Sequence, residues 1–342
     1  MKFLGLLACY IAIFCSLPAD AQERKEARDL PAFLGPLPRP VEPKENPSTP
    51  AKVELGRMLY WDPRVSGNGT ISCATCHNPA LGWADGLAKG IGINGTKLGR
   101  SSPTVANAAY YELQFWDGRA ATLEEQAKGP VESPNEMGGK GDRVVETLKS
   151  IAGYRKLFQE AFGTPEVTFD RFAMAVAAFE RTVVDLDSPF DRYARGDDKA
   201  LPEPALRGLE LFAGKANCAV CHSGPNFADK RFHNIGLEDG DPGRFALTKL
   251  ESDRGAFRTP TLRNIALTGP YMHDGSSKTL RDVIDHYERA SNEGKAKHPN
   301  LSIFFRPFKL TDDEKKDLEA FMRSLTADKR DPRAAVVPEL PQ

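Results

Sequence analysis

The motif Cys-x-x-Cys-His occurs twice in the sequence, at residues 73–77 and 218–222. In this motif two thiols can add to the two vinyl groups of one haem, and the adjacent imidazole can bind the iron. The spacing therefore predicts two covalently bound c-type haems, with His77 and His222 as the proximal iron ligands. The attaching thiols would be those of Cys73, Cys76, Cys218 and Cys221.

Three other uses of these cysteines compete with haem attachment. An exported protein can pair four cysteines in two disulfides, four thiolates can bind zinc, and each Cys-x-x-Cys can be a redox pair. The histidine directly after each pair favours haem over all three.

The other two cysteines, Cys9 and Cys15, lie in an N-terminal segment typical of export signals. Lys2 is followed by an apolar run over residues 3–17 and then by Ala-Asp-Ala at 19–21. This pattern predicts a signal peptide over residues 1–21 and a periplasmic protein. A membrane anchor is the alternative, but the run is shorter than the roughly 20 residues that a span requires.

The bulk composition excludes some partners. The 342 residues are 40% hydrophobic and 27% charged, which is ordinary for a soluble globular protein. The formal net charge of −1 gives no overall field that would attract nucleic acid or an anionic membrane. We therefore expect no nucleic-acid partner and no membrane span after signal cleavage.

The elements around the two motifs also repeat. Each half carries a short amphipathic segment, the haem motif, a Pro-Thr segment, an Asp-Gly turn and a helix. The matching segments are "ELGRMLY" with "LRGLELF", "SPTVAN" with "TPTLRN", and "FWDGRAATLEE" with "MHDGSSKTLRD". In this register Trp116 is the counterpart of His273. The repeat predicts a mainly α fold of two cytochrome c-like helical domains, each with one covalently bound haem c.

The domain boundaries follow from composition. Residues 22–46 form a Pro-rich N-terminal extension, expected to run extended over the surface. We place the first domain at 47–195 and the second at 196–335, joined near a polar linker at 194–204. Between the haem motifs, apolar residues at helical spacing predict a core helix to which we assign no chemistry: Phe172, Ala175, Val176 and Phe179.

The sixth ligand of each iron decides between electron transfer and reaction with a small oxidant. Besides the two proximal ligands, the sequence has four histidines, all in the second half: His233, His273, His286 and His298. The first half therefore offers no second histidine to its own haem. Its methionines remain candidate ligands: Met58, Met137 and Met174.

Longer motifs make the chain similar to the bacterial di-haem cytochrome c peroxidase and MauG family. The motifs are "CATCH", "FWDGRAATLEEQAKGPVESPNEMGG", "AAFERTVVDLDSPFDRY", "CAVCH" and "TPTLRNIALTGPYMHDGSSKTL". The resemblance covers the chain from about residue 47 to the C-terminal helix. It implies that the first haem is the peroxide site and that the second takes in electrons or stabilises oxidising equivalents.

The resemblance also implies roles for four residues. Trp116 matches the tryptophan that relays electrons between the haems, although a buried core tryptophan is the plainer interpretation. Glu136 matches the carboxylate of the peroxide pocket, where one group can remove a proton from peroxide and return it to the leaving oxygen. A solvated loop glutamate is its alternative. Gln126 and Pro130 match other residues that line this pocket.

Two departures from the reductively activated peroxidases affect the distal ligands. Those enzymes place a histidine in the loop after the first haem motif, but residues 87–102 contain none. We therefore expect an open, high-spin first haem. On the second haem they use a methionine, where this chain has Tyr287, as MauG does. The internal repeat aligns Tyr287 with Pro130, which predicts a closed second haem and an open first one.

Other assignments compete for these positions. Tyr287 has a packing aromatic as its alternative, and His286 and Met272 are rival ligands. The resemblance further implies a calcium ion between the domains, with Thr268 and Pro270 as backbone donors. Ser101 stands where the family has an asparagine donor.

Three functions remain in competition. The leading one is a periplasmic peroxidase that reduces hydrogen peroxide with electrons from a small donor cytochrome c or cupredoxin. The second is a MauG-like oxidation of a partner protein, although the family's surface tryptophan six residues before the second haem histidine is Ala216 here. The third is a di-haem electron carrier without catalysis, which would need two six-coordinate irons.

Overall fold

The structure is a computed structural model that describes residues 34–328 and 336–342. The predicted signal peptide and the first part of the Pro-rich extension lie outside these residues. The described part contains eleven α-helices and one two-stranded antiparallel sheet. The helices are α1 (Pro50–Trp61), α2 (Cys73–Cys76), α3 (Leu123–Glu132), α4 (Gly141–Ser150), α5 (Ala152–Phe162), α6 (Phe169–Glu180), α7 (Pro189–Ala194), α8 (Glu203–Ala213), α9 (Phe245–Thr248), α10 (Leu280–Lys297) and α11 (Asp312–Ser324), and the strands are β1 (Phe232–His233) and β2 (Phe257–Arg258). The predicted mainly α fold is confirmed.

One close helix crossing organises each half. In the first half α1 crosses α6 at Gly56, where an added Cβ would lie 1.9 Å from the Ala175 carbonyl oxygen. In the second half α8 crosses α11 at Gly208, where a Cβ would lie 2.0 Å from the Asp317 carbonyl oxygen. Only glycine lets two helix backbones approach so closely. The two halves therefore share one architecture.

The loops between the helices repeat as well. Gln114 pairs with Ala120 in an isolated antiparallel bridge, and Tyr271 pairs with Ser277 in the same way. Thr122 caps the N-terminus of α3, and Thr279 caps that of α10, each accepting a hydrogen bond from a main-chain N–H. The sequence register that aligns Trp116 with His273 is thus also the structural register.

Two hydrophobic cores lie inside the two halves. The first packs α1, α5 and α6 together, with the four apolar residues of the predicted core helix buried. The second packs α8, α10 and α11 together with Phe190 and Ala194 of α7. Because α7 contributes to the second core, that core begins before the boundary expected at residues 195–196.

The two ends of the described chain cross over to the opposite half. Leu34 is buried in the second core, so the Pro-rich extension is anchored by its leucines and does not simply lie on the surface. The C-terminal residues return to the first half, where Arg64 donates to the Pro341 carbonyl at 3.0 Å and Gly153 donates to Gln342 at 3.1 Å. Within the described residues, no helix combines the length and the hydropathy needed to cross a membrane.

Candidate haem sites

The first Cys-x-x-Cys-His motif faces a large cavity in the first half. Cys73 and Cys76 are the first and last residues of α2, which is a single helical turn. The His77 main-chain N–H donates a hydrogen bond to the Cys73 carbonyl at 2.9 Å. All three side chains line a cavity of about 510 Å³. The turn therefore presents two thiols and one imidazole to the same space, as haem attachment requires.

His77 is prepared to bind a metal. Its Nδ1 is buried without a hydrogen-bond partner among the described residues. Burial lowers the pKa of His77, which keeps the imidazole neutral, the form that ligates metals. Tyr60 donates a hydrogen bond to the His77 carbonyl at 2.9 Å and so holds the main chain in place. The donor set fits a haem with a proximal histidine.

The residues that the family resemblance assigns to the peroxide pocket line this same cavity. Gln126 and Pro130 lie four residues apart on one face of α3. Glu136 lies in the loop after α3, where its carbonyl accepts a hydrogen bond from the Ile93 N–H at 2.7 Å. The loop that follows the haem motif therefore supports the segment that carries Glu136.

The first cavity offers few distal ligands. Among the described residues that line it, His77 is the only histidine and Met137 the only methionine. Met58 and Met174, the other two methionines that the sequence offers as candidates, do not line it. Met137 is 3% exposed and packs in the first core.

The second motif faces a smaller cavity of about 140 Å³. Cys221 and His222 line it, and the His222 N–H closes the turn on the Cys218 carbonyl at 2.9 Å, as in the first motif. Cys218 does not itself line the cavity. The His222 Nδ1 lies 3.0 Å from the Phe227 carbonyl oxygen. A proton on Nδ1 would leave Nε2 free for iron, the usual arrangement of a metal-bound histidine.

Tyr287 lines the second cavity from α10. Leu280, Val283 and Tyr287 face it at helical spacing, as Leu123, Gln126 and Pro130 of α3 face the first. Burial raises the pKa of Tyr287. No hydrogen bond occupies its hydroxyl within the described part of the chain, so this oxygen is available to a ligand.

The rival ligands differ in availability. His286 does not line the second cavity, and both its ring nitrogens are engaged, one with the Ile235 carbonyl at 2.8 Å and one with Arg289 at 3.1 Å. Met272 does line the cavity. The geometry thus removes His286 and keeps Met272 as a competitor of Tyr287. His233, His273 and Met322 line the same cavity, and the Nε2 atoms of the two histidines lie 2.7 Å from the carboxylates of Asp229 and Asp239.

Trp116 lines both cavities. Its indole N–H donates to the Ser101 carbonyl at 2.9 Å, and its own carbonyl accepts from the Arg258 N–H at 2.8 Å. Its ring lies edge-on to that of His273, with ring centres 6.4 Å apart. A half-buried aromatic ring that lines both haem cavities is in the right place to pass electrons, and this placement is also compatible with a packing role.

The three residues implied for calcium are brought together. Ser101, Thr268 and Pro270 all line the second cavity. The Ser101 carbonyl already accepts from Trp116, and its N–H donates to the His273 carbonyl at 2.7 Å. Backbone and hydroxyl oxygens are ligands that calcium accepts.

The surroundings of the cysteines do not favour a redox-active pair. All four described cysteines are free thiols. Burial raises the pKa of Cys76 to about 11 and that of Cys221 to about 12, whereas a redox-active pair needs a lowered thiol pKa. This chemistry favours haem attachment over the alternatives.

Sequence reasoning missed several residues that line these cavities, among them Tyr111, Arg258 and Glu180. Tyr111 and Arg258 line both, and the Arg258 guanidinium lies 3.4 Å from the centre of the Tyr111 ring. Glu180, at the end of the helix to which we assigned no chemistry, lines the first cavity. An alignment of α6 with α11 was the signal that would have found Glu180.

Comparisons with known proteins agree with this arrangement. The family model described as di-haem cytochrome c peroxidase matches residues 50–199, and the model described as cytochrome c matches residues 205–326. The methylamine utilization protein MauG of Methylorubrum extorquens is 44% identical over 339 residues, covering 97% of this chain and 94% of that protein. The cytochrome c551 peroxidase of Pseudomonas aeruginosa is 43% identical over 266 residues, covering 74% of this chain and 76% of that protein.

A solved structure gives the same result. The crystal structure of a MauG-like protein associated with microbial copper homeostasis matches with a TM-score of 0.81 and 35% identity, covering 91% of this chain and 98% of that one. The chain therefore belongs to the di-haem cytochrome c peroxidase family, whose members are oxidoreductases that carry c-type haem.

Proposed function

We propose that this chain reduces hydrogen peroxide to water at its first haem, with electrons from a small donor cytochrome c or cupredoxin. The first cavity carries the proposal. It brings the haem-attaching residues and Glu136, Gln126 and Pro130 to one space, in which His77 is the only histidine among the described lining residues. A haem held by His77 would meet no second histidine in this lining, which would leave one side of its iron to peroxide.

The side chains that line the first cavity have different roles in the proposed reaction. When bound, a haem held by His77 would supply an iron able to exchange electrons with peroxide. Glu136 would take a proton from one peroxide oxygen and return it to the oxygen that leaves as water, so that one carboxylate serves as base and then as acid. Two electrons and two protons then convert one peroxide to two water molecules. Gln126 contributes an amide that can hydrogen-bond to peroxide, and Pro130 has no side-chain donor.

The second haem is proposed to be closed by His222 and Tyr287. A phenolate ligand stabilises the oxidised iron and lowers its reduction potential. Trp116 carries electrons between the two haems, because it borders both cavities. The periplasm is the proposed location, and calcium is proposed at Ser101, Thr268 and Pro270, which metal analysis of the holoprotein before and after chelation would check.

A MauG-like oxidation of a partner protein is the second candidate. Two observations favour it: Tyr287 at the second cavity, and the 44% identity to a MauG over nearly the whole chain. The family's tryptophan route to the protein surface is not available, because Ala216 stands at that position and is buried. Any partner protein would therefore have to exchange electrons by another path.

The variant Glu136→Gln tests the proposed chemistry. We expect its rate of reaction with peroxide to fall by about 10²–10⁴-fold, the usual contribution of a general acid–base group. Stopped-flow absorbance of the oxidised holoprotein, followed by steady-state turnover with a reduced donor cytochrome, measures both steps. The control is Glu146→Gln, an exposed glutamate on α4 that pairs with Arg143.

The control variant and the wild type show which results would contradict the proposed peroxidase reaction. Glu146→Gln should react as fast as the wild type. An unchanged rate in Glu136→Gln would remove Glu136 from the mechanism. Wild-type holoprotein that reacts with peroxide but never turns over with any reduced donor would favour the MauG-like candidate.

A further inference from the structure

Glu180 is a buried carboxylate in the wall of the first haem cavity. It is the last residue of α6, its side chain is 4% exposed, and it lines the cavity together with Cys73 and His77. Its Oε2 has no hydrogen-bond partner among the described residues. A buried carboxyl oxygen without a partner is costly and therefore rare, which calls for an explanation.

The internal repeat shows that the fold does not need a carboxylate here. Phe179 contacts Gly56 where α6 crosses α1, and Phe321 contacts Gly208 where α11 crosses α8. The residue after Phe179 is Glu180, and the residue after Phe321 is Met322.

A second pair of contacts gives the same alignment. The Val183 carbonyl accepts from Asn107, and the Leu325 carbonyl accepts from Asn264. Met322 is 6% exposed and lines the second cavity. The same position is thus apolar beside one haem site and acidic beside the other.

The surroundings of Glu180 do not neutralise it by an ion pair. The titratable and charged groups that face it are Tyr60 of α1, Cys73 of α2, Glu124 of α3 and Arg181 at the end of its own helix. Arg181 directs its Nη2 to Glu124 at 2.7 Å. Burial raises the pKa of Glu180 to about 8, with Arg181 acting against the shift and Glu124 adding to it.

We propose that Glu180 is the redox-linked proton acceptor of the first haem. When one electron reduces this haem, the Glu180 carboxylate takes up one proton from solvent, and oxidation releases it. The net charge of the cavity then stays constant, because the electron and the proton arrive together. The inference relies on the proposed function only in placing a haem in this cavity.

Electrostatics gives the physical reason. An oxidised haem carries one more positive charge than a reduced one, and it stabilises a nearby carboxylate. Loss of that charge in a site shielded from water raises the proton affinity of the carboxyl group. Linkage then requires the reverse effect, so that protonation of Glu180 raises the reduction potential of the first haem. Met322 cannot titrate, so its position gives the second haem no such coupling.

Spectroelectrochemical titration of the holoprotein tests the proposal. We expect the midpoint potential of the first haem to fall with rising pH within the range from about pH 5 to about pH 9. The slope should approach about 59 mV per pH unit, which corresponds to one proton per electron. Glu180→Gln keeps the shape and the polarity but cannot titrate, so its slope over the same range should vanish. The second haem is the internal control, and its pH dependence should be the same in both proteins.

A second measurement covers the case in which Glu180→Gln fails to take up haem. Infrared difference spectra of the wild type, reduced minus oxidised, should gain the carbonyl band of a protonated carboxylic acid. Absence of that band, or an unchanged slope in Glu180→Gln, would overturn the proposal and assign the coupling to other groups. Neither readout uses peroxide, so a failure here leaves the peroxidase proposal standing, and loss of peroxide reactivity leaves these readouts intact.

Discussion

At the scale of single residues, we propose that the Tyr287 hydroxyl is the second protein ligand of the second haem iron. In the oxidised holoprotein we expect one high-spin and one low-spin signal in low-temperature EPR, from the first and second haem respectively. Tyr287→Phe keeps the aromatic ring and its stacking on Phe305, with ring centres 5.7 Å apart. It removes the hydroxyl oxygen of this side chain. The low-spin signal should therefore convert to a second high-spin signal.

Tyr271→Phe is the matched control for Tyr287→Phe. Tyr271 lines the same cavity, but its hydroxyl donates to the Ile265 carbonyl at 3.0 Å. Its removal should leave both EPR signals unchanged. A low-spin signal that survives in Tyr287→Phe would show that another residue of the cavity lining, such as Met272, is the ligand. Two low-spin signals in the wild type would instead support the electron carrier.

At the scale of elements, the crossing of α1 and α6 sets the shape of the first half. A Cβ at Gly56 would meet the Ala175 carbonyl oxygen at 1.9 Å, so the two helices must separate to admit it. We expect Gly56→Ala to destabilise the first domain by about 1–3 kcal/mol or more, the usual cost of overpacking. Thermal unfolding followed by circular dichroism measures the change, and the midpoint should fall by several degrees.

Gly35→Ala provides the comparison for Gly56→Ala. A Cβ at Gly35 would meet no atom within 4 Å, so its midpoint should stay close to that of the wild type. If Gly56→Ala is equally stable, the helices are able to move apart, and close contact at the crossing is not what orders the first core.

Elements are also the scale at which the sequence was most informative. The spacing of Cys73, Cys76 and His77 is a local feature of the sequence. Such local patterns were enough to predict both haem motifs, the helices and the internal repeat. Glu180 was missed because the residues before it in α6 are apolar core residues. An alignment of α6 with α11 would have drawn attention to it, but only the packing of α6 shows that it lines the cavity. The crossing of the chain ends, with Leu34 in the second core, depends on contacts between distant residues that no local pattern encodes.

At the scale of the whole molecule, ionic contacts join the two halves beside Trp116. Arg100 pairs with Asp117 of its own half at 2.7 Å and with Asp241 of the other half at 2.7 and 2.9 Å. Arg100 directly precedes Ser101, whose carbonyl accepts from Trp116. The ion pair therefore helps to hold in register the segment that separates the two cavities.

The pH dependence of this contact gives a prediction for the whole molecule. Desolvation alone would raise the pKa of Asp241, but the hydrogen bonds and charge of Arg100 outweigh it and lower that pKa below its usual 3.8. A carboxyl group with a lowered pKa contributes stability above its unfolded pKa and loses that contribution as the pH falls through its folded value. Asp241→Asn should therefore cost about 1–3 kcal/mol at neutral pH, and the difference from wild type should shrink at acid pH. Calorimetric unfolding at about pH 7 and about pH 3 measures both values.

Asp285→Asn is the control, because it removes a half-exposed partner of Lys315 while Glu288 remains. Its free energy of unfolding should change little at either pH. A cost for Asp241→Asn that is equal at both pH values would mean that its charge does not hold the halves together.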